Sequence, residues 1–324
     1  VHLRRAFSHR RRRNVLCKHC ARLKDNRVRF FFADAKKLSS NAQNSKNSFL
    51  YCQELVRKHD YENFIATLLL PPGPRQSTIA VRAFNVSVAQ VQDQVSQGLI
   101  GQMRMKFWSD TLEAIYQDAP PAQLVALQLH EAVRQHKLSK RWFQRLISSR
   151  ENHLSSKSFQ SLSNLEDYAE HSASSILYLT LESLNVRTIE SDHAASHIGR
   201  AQGIVTFLRA IPYNSRRQQV YVPIDLLVQH KVSQNDILKG IDDKRMKDLI
   251  FDVASSANAH IEKAKTIMPK MSSEARLALI PLLSVVSYLE QLRKVDFNVF
   301  DSRLSQRNPL LPWKMWWNKF RGKI

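Results

Sequence analysis

Glycine occurs only seven times in this chain, at Gly73, Gly98, Gly101, Gly199, Gly203, Gly240 and Gly322. Glycine serves turns and closely approached backbone and weakens helices, so a chain this poor in it is expected to be built from long helices. The same scarcity excludes a class of functions. Phosphate-cradling loops of the Walker or Rossmann kind need clustered glycines, and no such cluster is present. With 324 residues, 43% of them hydrophobic, the chain can bury the core of one large or two small domains.

The formal charge of +21 is unevenly placed. Residues 1–50 hold 14 Lys and Arg against Asp25 and Asp34, a balance of +12; the other 35 basic residues meet 26 acids, a balance of +9. Residues 1–24 contain no acid, and serine and asparagine thicken between Ser39 and Ser48. An Arg-rich, acid-free, Ser-containing beginning has the form of a mitochondrial transit peptide, expected over residues 1–48 as a disordered segment and cleaved between about 30 and 48. The competing reading is a basic nucleic-acid-binding or nuclear-targeting arm. Three cysteines, Cys17, Cys20 and Cys52, make no disulfide framework and point to a reducing compartment. Cys17 and Cys20 have a metal-like spacing without a second pair, so they read as incidental.

Beyond Tyr51 the apolar residues recur at helical spacing. Pro71, Pro72, Gly73 and Pro74 interrupt the pattern, and a helix over 77–94 follows with Ile79, Val81, Phe84, Val88 and Val91 on its inner face. A helix over 99–117 is expected to turn Met103, Phe107 and Ile115 inward. Further helices are expected from Pro120 to about 137, over 140–150, from an Asn164 cap, and from Ser191 and Asp192 to about Pro212. Residues 213–235 read as irregular, 244–268 as a long amphipathic helix, and a last large helix begins at Ser272 with a kink at Pro281. The longest uncharged apolar run, Leu277–Leu289, has 13 residues, fewer than the roughly 20 needed to span a bilayer.

Local pairs have ordinary structural readings. His193 and His197 stand one helical turn apart and could share a metal, but no third ligand accompanies them. Glu166–Asp167 and Asp242–Asp243 sit at helix starts, where the helix dipole favours acids. No Gly-x-Ser-x-Gly elbow is present.

Four stretches, in order, carry a resemblance. They are YCQELVRKHDYENFIATLLLPPGPR (51–75), AFNVSVAQVQD (83–93) with MKFWSDTLEAIY (105–116), the small-residue stretch 164–184, and GRAQGIVTFLRAIPYNSRRQQVYVPIDLL (199–227). In sequence and spacing this series resembles the squalene/phytoene synthases. The resemblance implies a single all-α domain of the isoprenoid-synthase type with a central cavity, expected over 49–305. It also implies an ancestral chemistry in which carboxylates on two facing helices hold Mg²⁺ against a departing diphosphate.

Those carboxylates are largely missing. The first motif reads Ala89, Gln90 and Asp93, and the second, after Arg209, reads Ala210, Tyr213 and Asn214. Five of six expected acids are absent, so the resemblance implies no catalytic residue, no metal and no cofactor. Arg209, Arg216 and Arg217 persist beside the second motif, either as an anion-binding patch or as a solvated basic loop.

Residues 306–324 form a basic aromatic tail. Trp313, Trp316, Trp317 and Phe320 alternate with Lys314, Lys319 and Arg321, which suits an anionic membrane surface or a tail packed on the body. The Ala83–Val86 and Met103–Trp108 stretches are similar to the phytoene-synthase-like assembly factors of mitochondrial respiratory complex I. That resemblance implies a non-enzymatic, peripheral protein on the matrix side of the inner membrane. Its partners would be complex I subunits or assembly intermediates, and it would act early on the membrane arm. A residual prenyltransferase with altered metal ligands and an RNA- or ribosome-contacting protein are the alternatives; the missing acids weigh against the first, and the absence of a nucleic-acid-binding motif against the second.

Overall fold

The structure is a computed structural model that describes residues 46–94, 98–156 and 158–322. The targeting segment expected over 1–48 lies, up to residue 45, outside the described residues, as do Cys17 and Cys20. Ser48–Ile324 forms one compact unit, helical throughout and without a strand among the described residues. Its core begins at once: Ser48 is buried and its hydroxyl donates to Gln128 Oε1 at 3.3 Å.

In chain order the helices are α1 (46–59), α2 (Tyr61–Leu68), α3 (Pro72–Gln94), α4 (Gly98–Tyr116), α5 (Leu124–His136), α6 (Lys140–Ser156), α7 (Leu162–Ala169) and α8 (Ser175–Ser183). Then come α9 (Ile189–Arg216), α10 (Ile224–Gln229), α11 (Gln234–Lys239), α12 (Lys244–Ile267), α13 (Ser273–Ala278), α14 (Leu282–Lys294) and α15 (Leu311–Arg321). A single π turn, Glu170–Ser174, joins α7 to α8.

Every residue of α8 is buried, as befits a helix at the centre of a helical domain. Two of its hydroxyls are satisfied within the helix: Thr180 and Ser183 donate to the carbonyls of Ile176 and Leu179, both at 2.8 Å. One apolar cluster gathers α7 to α9, α12 and α14 on one side of this axis, and another gathers α1 to α6 on the other. Helix α9 crosses the π turn at two glycines. A Cβ at Gly199 would stand 2.2 Å from Ser174 Oγ, and one at Gly203 would stand 2.3 Å from the Ala169 Cβ. Only glycine permits this approach.

Several boundaries differ from expectation. Met103 and Phe107 face outward, while Met105, Trp108, Leu112 and Ile115 form the buried stripe of α4. Both stripes repeat at helical spacing, and only packing against α5 and α6 selects between them. Helix α9 begins after a Thr188 cap rather than at Ser191, and it runs through Pro212 to Arg216. Proline forfeits one hydrogen bond and crowds a carbonyl, which a final turn tolerates; further on, Ser215 Oγ donates to the Pro212 carbonyl in the last turn. Residues 213–235 are therefore partly helical, with α10 and the start of α11 within them. The cap of α7 is Ser161, which accepts from the Asn164 amide, and Pro281 separates two helices instead of kinking one.

Candidate functional site

A cavity of about 390 Å³ opens between α3, α6, the α7–α8 junction and α9. A second cleft of about 320 Å³ lies between α2, α9 and α14, and the two share His59, Asp60, Asn63, Gln202 and Thr206. A polar bridge occupies this common wall. Gln202 Nε2 donates to Asn63 Oδ1 at 3.0 Å, and Asn63 Nδ2 donates to Asp60 Oδ1 at 2.7 Å. Asp60 in turn accepts from Arg82 Nη1 at 3.2 Å.

Arg82 is 2% exposed. Burial pushes its guanidinium down from its ordinary pKa, and Asp60 opposes that shift. Its Nε has no hydrogen-bond partner among the described residues. Across the same cavity Arg150 Nη2 donates to Asn85 Oδ1 at 2.6 Å. The interior is thus spanned by amides and guanidinium groups.

Of the first-motif residues, Ala89, Gln90 and Asp93 line the cavity on α3. Of the second, Ala210, Tyr213 and Asn214 fall on the last turns of α9, beyond Gln202, Thr206 and Phe207, which line it. One side chain joins the two motifs. Arg217 Nη1 donates to Asp93 Oδ1 at 2.8 Å and to the Tyr213 hydroxyl at 2.5 Å, and its Nη2 donates to the Asp93 carbonyl at 3.2 Å. Beside this link Gln92 Nε2 donates to the Tyr221 hydroxyl at 2.9 Å. Arg209 makes a two-pronged pair with Glu62, at 2.7 and 3.0 Å, and lies over the Tyr288 ring. Arg216 is exposed. Two of the three candidate anion-binding arginines are therefore paired with carboxylates of the protein itself.

The His193–His197 pair does not converge. His193 is exposed, whereas His197 turns to α12, its Nδ1 3.0 Å from the Nδ1 of His260. His260 Nε2 lies 3.5 Å from Glu166 Oε1, which also accepts from Ser256 Oγ at 2.5 Å. Burial lowers the pKa of both histidines; Glu166 works against this at His260. Among the described residues no group of three or more His, Cys, Asp or Glu side chains is placed to hold a metal ion.

Two buried polar groups escaped the sequence reading. His153 stacks on Phe159 at 4.6 Å with Tyr168, Phe207 and Tyr221 around it, and neither ring nitrogen has a partner among the described residues. Burial pushes its pKa down to about 4. Glu170, at the π turn, accepts from Tyr178, Ser196, Ser174 and Arg200. Burial alone would raise its pKa, and those donors together lower it. A lone histidine and a lone glutamate carry no spacing pattern, so only the fold reveals them.

At the C-terminal end, α15 seats Leu311 and Met315 against Ala66 and Ile280, and Lys319 Nζ donates to the Leu69 carbonyl at 2.7 Å. Trp313, Trp316, Trp317 and Phe320 are turned outward.

Residues 56–316 match the family described as Squalene/phytoene synthase. A Mus musculus protein named "NADH dehydrogenase (ubiquinone) complex I, assembly factor 6" is 47% identical over 276 residues, 85% of this chain and 83% of that protein. A Drosophila melanogaster homolog of the same name is 39% identical over 281 residues, 85% of this chain and 84% of that protein. The squalene synthase HpnC from Alicyclobacillus acidocaldarius superposes with a TM-score of 0.69 at 20% identity, covering 78% of this chain and 96% of its own. At that identity the likeness speaks to the fold alone.

Proposed function

This chain belongs to the squalene/phytoene synthase family, and from that membership we propose that it is a non-catalytic assembly factor of mitochondrial respiratory complex I. It acts early on the membrane arm, as a peripheral protein at the matrix face of the inner membrane. Its similarity to proteins named for complex I assembly supports the first part of this reading. No described helix is long and apolar enough to cross a membrane, which is compatible with peripheral attachment.

The observation that carries the non-catalytic reading is the Arg217–Asp93 pair. Mg²⁺ requires several oxygen ligands around it, chiefly carboxylate and water. At the six motif positions Ala89 and Ala210 have no donor atom, Gln90, Tyr213 and Asn214 are neutral, and Asp93 is already paired with a guanidinium. These residues do not fit the metal, so no ionisation of an allylic diphosphate is derived for this site. The polar bridge from Arg82 to Gln202 further suits the interior to structural use, since a carbocation needs an apolar shelter.

The test pairs two measurements. Cells lacking the protein should lose assembled complex I on native gels and regain it with the wild-type chain. Purified protein with Mg²⁺ should turn over no prenyl diphosphate. Normal complex I in the deleted cells would overturn the assembly reading, and turnover that disappears in Asp93→Ala would overturn the non-catalytic one.

A further inference from the structure

The outward face of α15 has no partner among the described residues, and its chemistry identifies what covers it. At about 100° per residue, the two buried residues, Leu311 and Met315, mark one side of the helix. Trp313 and Phe320 fall almost diametrically opposite, and Trp316 and Trp317 flank them. The rings stack into a continuous ridge: Trp313 on Trp317 at 5.4 Å and Trp316 on Phe320 at 5.8 Å. All four are substantially exposed, Phe320 at 73% and Trp313 at 58%. Cations border the ridge on both sides, Lys319 on one and Lys314 with Arg321 on the other. Residues 306–324 contain five Lys and Arg and no acid.

We propose that this ridge is the surface by which the protein docks on a bilayer of anionic phospholipid, with α15 lying in the interfacial plane. The proposal rests on the peripheral membrane placement given above and names the residues and lipid chemistry responsible. Tryptophan prefers the boundary between headgroups and acyl chains, where its ring is apolar and its N–H finds an acceptor. A ridge that projects from the body inserts into a deformable bilayer without needing a matching groove. The cations at its base then lie at headgroup depth. Lys319 also locks the helix to α2 through the Leu69 carbonyl, so the ridge is held in register with the folded body.

The full chain can be tested by the quenching of its own tryptophan fluorescence with brominated lipids. Only Trp108 and Trp142 lie outside α15, and both are packed in the body. Vesicles of brominated phosphatidylcholine mixed with phosphatidylglycerol should quench the wild-type protein, and vesicles without the anionic lipid should quench it far less. In W313S/W316S/W317S/F320S the remaining tryptophans should stay unquenched, with an unchanged circular dichroism spectrum because Leu311 and Met315 are retained. Lys314→Gln with Arg321→Gln should weaken binding about thirtyfold, at about fivefold or 1 kcal/mol per cation.

Sedimentation with anionic vesicles while the α15 tryptophans remain unquenched would overturn the proposal, because the basic N-terminus alone would then account for binding. So would unquenched tryptophans together with loss of complex I in cells carrying the four-residue variant, which would make the ridge a protein-binding surface. Normal complex I in cells lacking the protein would end the assembly reading and leave the quenching result standing.

Discussion

Asp60 and Asp93 each hold an arginine, but Asp60 holds its partner Arg82 inside the protein and Asp93 holds Arg217 at the rim. The Arg82 and Asp60 side chains are 3% and 19% exposed, against 36% and 52% for Arg217 and Asp93. Removing one partner of a buried pair strands a charge, so Asp60→Ala is expected to cost about 3–5 kcal/mol. Urea unfolding measures it, and a loss below that of a typical surface substitution would contradict the role given to Asp60.

The rim pair should behave differently. A double-mutant cycle of Asp93→Ala and Arg217→Ala is expected to give a coupling of about 0.2–1 kcal/mol, the range of exposed ion pairs. High salt should shrink it further. The pair links α3 to the end of α9 at the rim and is expected to add little to the stability of the fold.

The contact of α9 with the π turn sets a third expectation. Gly199→Ala and Gly203→Ala each force a methyl into backbone or Cβ atoms nearer than 3 Å. Overpacking of this kind typically costs about 1–3 kcal/mol, occasionally more, and here it must also overcome alanine's helix advantage of about 1 kcal/mol. Gly98→Ala is the control, since among the described residues nothing beyond its own chain neighbours and helix backbone lies within 4 Å of the added methyl. Thermal unfolding should show the first two substitutions lowering Tm and the third leaving it unchanged or raised.

Acid sensitivity should arise at three histidines. His153, His197 and His260 all have folded pKa values below the ordinary one, His153 at about 4, each chiefly through burial. The unfolded chain therefore binds protons more readily than the folded one below about pH 6.5. The contribution of these histidines to stability is accordingly constant above that pH and is lost as pH falls towards 4, with His153 alone accounting for about 3 kcal/mol. His153→Leu should shrink this loss. It should also raise stability at pH 7 by about 1 kcal/mol or more, because the removed ring nitrogens make no hydrogen bond among the described residues. Urea titrations at pH 7.5 and pH 5 would show both effects, and an unaltered pH slope in the variant would count against His153.

The helical class and the inner face of α3 were readable from glycine scarcity and apolar spacing, whereas the burial of every residue of α8 was not, since no stripe marks it. Helix α4 has two, and nothing in its own residues says that Met105 goes in and Met103 out. The motif residues were legible by position, but their new connection was not. Arg217 stands 124 positions from Asp93, and no local pattern links the two. The same holds for Asn63 and Gln202, whose amides become a bridge only when α2 and α9 are brought side by side. Arg209 read as an outward anion site because its partner, Glu62, lies on a different helix.

The hydrogen bond from Lys319 to the Leu69 carbonyl joins positions 250 residues apart, and this separation gives α15 a temporal meaning. The seat of α15 is built from Ala66 of α2 and Ile280 between α13 and α14, so it exists only once those parts of the chain have come together. Until then Ala66 and Ile280 lack their cover, and the tryptophans have no fixed bearing. A chain shortened before Leu311 would keep that opening permanently. Correct display of the ridge thus depends on the meeting of α2 with the α13–α14 junction.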